Sequence, residues 1–108
     1  MKLEKVLAKI DDEKVMLSLL KDITTPQEIK TLQERLDIVI LLNKGISYAE
    51  ISKIMGASTT TVTRVSRFLK QEKYGGYRWV LENFKDWCML KIAVQKSDRI
   101  SKGFLDLL

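Results

Sequence analysis

The sequence contains no histidine, which removes the commonest general base and the commonest zinc ligand. Its one cysteine, Cys88, excludes an internal disulfide and any cysteine-built metal cluster. That cysteine falls in the apolar stretch 84–90, a setting in which a thiol stays inert. No apolar run approaches the ~18 residues of a membrane span. The opening stretch MKLEKVLAKIDDEK alternates charge with Leu and Val, which is not the pattern of a secretory signal. There is no glycine-rich phosphate loop and no pair of carboxylates set beside an apolar stretch. These absences argue against an enzyme, a cofactor or metal, and a membrane partner. A cytoplasmic binding protein is the expectation.

What is present points the same way. At roughly 150 residues per domain, 108 residues make one domain. With 45% hydrophobic and 31% charged residues the chain is too apolar to be intrinsically disordered. A domain of this size hides only about two-thirds of its unfolded surface, so an extended helical chain gains by sharing its core with a second copy. The net charge of +5 is unevenly placed. Residues 44–78 hold seven basic side chains (Lys44, Lys53, Arg64, Arg67, Lys70, Lys73, Arg78) and only Glu50 and Glu72 against them. That segment carries the whole excess, and the remainder balances. A basic stretch in a neutral frame is the electrostatic footprint of a polyanion binder; by charge alone it could equally be the solvated face of a helix.

Periodicity reads as helix throughout. Leu3, Val6, Leu7 and Ile10 follow helical spacing, and Met16, Leu19, Leu20 and Ile23 form a second stripe. Between them, Asp11-Asp12-Glu13 is a helix start, with carboxylates facing the positive end of the dipole. Thr25-Pro26-Gln27-Glu28 is a capping box with proline at the first helical position. The helix that follows runs to Lys44 and stops at Gly45. Its segment Ile38–Leu42 is apolar on nearly every side, and such a helix must be buried all round. A second subunit covering one face would do this, as would a wrapping of the chain's own helices. Ser47-Tyr48-Ala49-Glu50 is a second capping box, opening a short helix that ends at Met55, before Gly56. A further helix runs from Thr59 to about Glu72, with Ser58 as its cap. After Gly75-Gly76 a last helix is expected from Tyr77 to about Val94, with Val80, Leu81, Phe84 and Trp87 or Cys88 on one side. Residues 95–108 read as a tail.

Two short helices joined by a tight turn containing glycine are a helix–turn–helix, here from Tyr48 to Arg67. Ile51, Met55, Ala57, Val62 and Val65 are the expected inward positions, with Ser52 small enough for close helix approach. The outer face holds four threonines in the five positions 59–63, all weak helix formers. Hydroxyls placed against propensity indicate a face in use. Thr59, Thr63 and Arg67 lie above one another, with Thr60 and Arg64 adjacent. A helix N-terminus attracts phosphate, threonine can donate to phosphate or pack on a thymine methyl, and arginine can take phosphate or guanine. The candidate DNA-binding residues are Tyr48, Ser58, Thr59, Thr60, Thr61, Thr63, Arg64 and Arg67.

Thr25-Pro26, Arg35, the run Ile38-Val39…Leu41-Leu42-Asn43-Lys44-Gly45, then Ser47, Glu50, Gly56-Ala57 and Thr61-Val62-Thr63-Arg64 resemble the bacterial Trp repressor superfamily over about residues 25–70. The turn and recognition helix are most similar to those of its Trp-repressor-related group. The resemblance implies an all-helical, intertwined homodimer presenting two recognition helices to successive major grooves. It also implies a corepressor pocket at Thr25, Arg35 and Arg64. Two further positions of that pocket, a glycine and a serine in the family, are Val65 and Phe68 here. Both are larger and apolar, so they are expected to fill the indole slot and remove a polar partner, leaving the pocket vestigial and tryptophan unbound.

The expectation is therefore an all-α, Trp-repressor-like homodimer that binds double-stranded DNA at a near-palindromic site as a transcriptional repressor. Residues 1–94 form one helical domain, with 47–72 as the DNA reader and 1–46 and 77–94 as the dimer core. The alternative is a helix–turn–helix used for protein docking within the transcription machinery.

Overall fold

Six helices and no strand make up residues 1–84, which are the residues that the computed structural model describes. They are α1 (Leu3–Lys9), α2 (Glu13–Ile23), α3 (Pro26–Asn43), α4 (Tyr48–Met55), α5 (Thr59–Gln71) and α6 (Gly76–Asn83). Packing divides the chain into two units, Met1–Leu32 and a second that begins at Gln33. None of the described helices is long and apolar enough to cross a membrane.

In the first unit the helix starts are where local chemistry puts them. Asp12 Oδ1 accepts the Lys14 N–H at 2.8 Å and opens α2. Thr24 closes it in extended conformation, its N–H and its hydroxyl both given to the Leu20 carbonyl. The capping box of α3 is complete: the Thr25 N–H donates to Glu28 Oε1 at 2.9 Å, and the Glu28 N–H to Thr25 Oγ1 at 3.1 Å. The bond from the Thr25 backbone N–H, and after it the Thr25 hydroxyl, hold the Glu28 carboxyl below its usual range. What the unit lacks is a core. Neither α1 nor α2 contains a buried residue, and Leu3, Val15, Leu17 and Ile23 are exposed.

The second unit has one. Ile38, Val39 and Leu41 of α3, Ile51 and Ile54 of α4, and Val62, Val65 and Leu69 of α5 form a single buried cluster. Thus the chain's own helices cover part of the all-round apolar segment of α3, while Ile40 and Leu42 stay half-buried. The end of α3 is a Schellman motif. Gly45 takes φ +82, its N–H bonds the Leu42 carbonyl, and the Ile46 N–H reaches back to Leu41. Ser47 caps α4 by accepting the Glu50 N–H, and among the described residues Glu50 returns no bond, so that capping box is half formed. Gly56 at φ +66 ends α4, and Ser58 Oγ accepts the Thr61 N–H to open α5. Ile54 takes the buried place expected for Met55, which is half-buried against the cluster.

The last helix departs from expectation. Instead of running on towards Val94, α6 stops at Asn83, and Phe84 leaves the helical region. The Asn83 side chain donates to the Trp79 carbonyl at 2.8 Å, a side-chain bond that competes with continuation of the helix. Phe84 is exposed and packs edge-on against Trp79. Trp87, Cys88, the remainder of the expected helix and the tail 95–108 lie outside the described residues.

Candidate nucleic-acid interface

The helix–turn–helix is α4, the turn 56–58 and α5. Its turn is held by Gly56 in the left-handed region, by the Ser52 hydroxyl donating to the Ala57 carbonyl, and by the Ser58 cap. Ser52 therefore braces the turn as well as being small. On α5 the burial pattern has helical period. Val62, Val65, Ser66 and Leu69 face inward, and Thr59, Thr60, Thr63, Arg64, Arg67 and Lys70 are exposed. The reading face expected from spacing is the face that packing leaves free.

The hydroxyls on that face are not equivalent. Ser58 and Thr61 pair with one another at 3.1 Å and serve the cap. Thr63 Oγ1 donates to the Thr59 carbonyl at 2.8 Å, which leaves it only as an acceptor. No hydrogen bond within the described residues engages the hydroxyls of Thr59 and Thr60, and these are the two at liberty to donate outward. Tyr48 is tied down: its hydroxyl is bonded to that of buried Ser66 and accepts from Lys70 Nζ at 3.3 Å. The Ser66 bond, then Lys70, holds its phenol below the usual tyrosine range. Tyr48 thus fastens the start of α4 to the middle of α5. Sequence spacing does not reveal this tie, because it joins positions 18 residues apart through a serine that looked like one more helix position.

The vestigial-pocket positions divide. Thr25 belongs to the first unit, where its hydroxyl caps α3. Arg35, Arg64, Val65 and Phe68 come together around an open cleft of about 440 Å³, closed further by Tyr74, Tyr77 and Arg78. The larger side chains do not abolish the space. Val65 packs into the core at 1% exposure, and Phe68 stands half-buried as a wall. The room comes from the exit of α5. The chain leaves through Glu72 in the left-handed region, turns again at Gly75, and α6 returns across the opening, tied by an Arg78–Glu72 ion pair at 2.9 Å. Arg64 lies over the Phe68 ring.

Two buried polar atoms have no partner within the described residues, Arg35 Nε and Asp37 Oδ1. Burial, with the Glu34 charge adding to it, pushes the Asp37 carboxyl up to about 6. A single acid in the apolar run Leu36–Leu42 was the available signal for Asp37, and sequence reasoning passed over it.

The Trp repressor protein family matches residues 1–85 of the chain. Among curated proteins, the chain is 37% identical over 67 residues to the uncharacterised protein YerC of Bacillus subtilis (strain 168). That match covers 60% of this chain and 62% of YerC, so the chain spans less than two-thirds of that relative's length. No solved structure matches.

Proposed function

The chain belongs to the Trp repressor family of helix–turn–helix DNA-binding regulators, and from that premise we propose that it is a sequence-specific transcriptional repressor acting as a homodimer on a near-palindromic site. The observation that carries the reading is the outward face of α5, where Thr59, Thr60, Thr63, Arg64 and Arg67 stand clear of the core within the segment 44–78, whose +5 equals the net charge of the whole chain. In this reading 47–72 is the DNA reader. Thr59 and Thr60 donate to base or phosphate, Arg64 and Arg67 take phosphate or guanine, and Ser58, Thr61 and Tyr48 shape the helix that presents them. Residues 1–46 and 77–94 serve the dimer. The coreless α1 and α2, with apolar side chains left open, support a second copy as their cover. A two-fold dimer presents two equivalent helices, so half-sites fall about one helical turn apart.

DNA binding is independent of tryptophan. A cleft is present, but the position from which the family's serine would meet the amino group carries a ring, and that ring already underlies Arg64. The test is selection from a genomic fragment library at low salt, repeated across salt and with L-tryptophan. A palindromic preference is expected, with log K falling by about 0.9 per phosphate neutralised for each tenfold rise in salt. L-tryptophan should change affinity by less than tenfold, or about 1.4 kcal/mol of coupling. Absence of any duplex preference overturns the function. Salt-insensitive binding to a protein instead would move the reading to a docking module.

A further inference from the structure

Four cations on and just after α5 rest on rings rather than on acids. The Arg64 guanidinium carbon lies 5.0 Å from the centroid of the Phe68 ring, and that of Arg67 lies 5.9 Å from the same ring. Phe68 is stacked on Tyr74, with centroids 6.3 Å apart and planes 22° from parallel, and Lys73 Nζ sits 5.4 Å from the Tyr74 ring. Lys70 Nζ sits 5.8 Å from the ring of Tyr48. Among the described residues the one ion pair is Arg78–Glu72, which includes none of these four. Charge and aromatic surface thus adjoin one another on α5 and at its exit.

The physics of holding a cation favours this arrangement for a phosphate reader. A carboxylate would fix an arginine but cancel the charge that phosphate needs. The negative face of a ring attracts the cation without neutralising it, and it holds the guanidinium plane in an orientation suited to bidentate contact. Arg64 and Arg67 precede Phe68 by four and one positions on the same helix, so one ring serves both. Without it their long side chains would sample many rotamers, all to be frozen on binding.

We propose that Phe68 is a positioning residue for DNA recognition: its ring, backed by Tyr74, sets Arg64 and Arg67 in their DNA-facing orientation before DNA arrives. The inference rests on the DNA-binding reading. It assigns Phe68 a role distinct from filling space, because leucine would fill a similar volume with no ring face to offer.

The experiment measures affinity for the selected duplex, alongside thermal stability, for the parent, Phe68→Leu and Phe68→Tyr. It then repeats Phe68→Leu in the Arg64→Ala/Arg67→Ala background. Phe68→Leu should weaken binding about tenfold, Phe68→Tyr should restore it, and the loss should disappear once both arginines are gone. Parent-like binding by Phe68→Leu overturns the proposal and leaves the DNA reading standing. So does an equal loss in the arginine-free background, which marks a merely structural role. A parent that binds no duplex removes the DNA reading and this proposal together. Should Phe68→Leu not fold, side-chain proton shifts of Arg64 and Arg67 in the parent decide. Upfield displacement by the ring current supports the stack, and unshifted resonances overturn it.

Discussion

Asp37 sets a carboxyl, 3% exposed, among the apolar residues of α3, with one oxygen unpartnered. Its folded value of about 6 lies above the 3.8 of a free aspartate, so folding favours the protonated form. The sign follows from linkage. Between about pH 4 and pH 6 the unfolded chain gives up this proton while the folded chain still holds it. Stability therefore falls as pH rises through that window, and the penalty is complete above it. Asp37→Asn should raise stability at pH 7–8 by about 1–2 kcal/mol, a range trimmed for partial solvent screening, and should change little near pH 4. Urea melts of the two proteins across pH 4–8 check this; parallel curves would contradict it. At this scale the sequence was informative where a residue acts on its near neighbours. Thr25 with Glu28, Ser58 with Thr61 and Gly56 at the turn all do their work within three or four positions. It was silent where the partner is distant, as for Tyr48 with Ser66, or where burial depends on the whole packing, as for Ile54 and Asp37.

Among the elements, α5 carries both the core and the candidate interface, and its two faces were separable in advance because burial repeats at helical spacing. The division of labour among its hydroxyls was not, since any of them could cap, bond back to the helix or face outward. The structure gives Ser58 the cap and leaves Thr60 free of it. Ser58→Ala should therefore destabilise the fold by about 1 kcal/mol, while Thr60→Ala should stay within about 0.5 kcal/mol of the parent and lose affinity for the preferred duplex. Paired denaturation and binding curves test the distinction; equal destabilisation by both would contradict it. The end of α6 was the poorest expectation at this scale. The apolar pattern continued through Phe84, but an asparagine side chain bonded to the Trp79 carbonyl closed the helix first.

For the whole molecule, the expected outcome is a dimer. Sedimentation should give a particle near twice 12.5 kDa, and the melting temperature should rise with protein concentration, as it does when folding and association are linked. A concentration-independent melt from a 12.5 kDa particle would refute it. The amphipathic stripes of α1 and α2 were legible from spacing, and they came out without a core of their own. Spacing tells which side of a helix wants cover and cannot tell which chain supplies it. The cleft beside Phe68 was likewise beyond sequence comparison. Counting added carbons at Val65 and Phe68 says nothing of where Glu72 and Gly75 send the chain next.

The reading helix is cut from poor helical material at the end that would meet DNA. Threonines fill four of the positions from 59 to 63, each about 0.5 kcal/mol worse than alanine in a helix interior, and one serine cap anchors the turn. The first turn of α5 is thus the part of the helix with the least local reason to stay wound. Winding it is what lines up the unpartnered N–H groups that an incoming phosphate would engage. For this turn, contact with a polyanion and completion of the helix become one event, and grip on the duplex is felt as a slowing of the breathing of its own backbone.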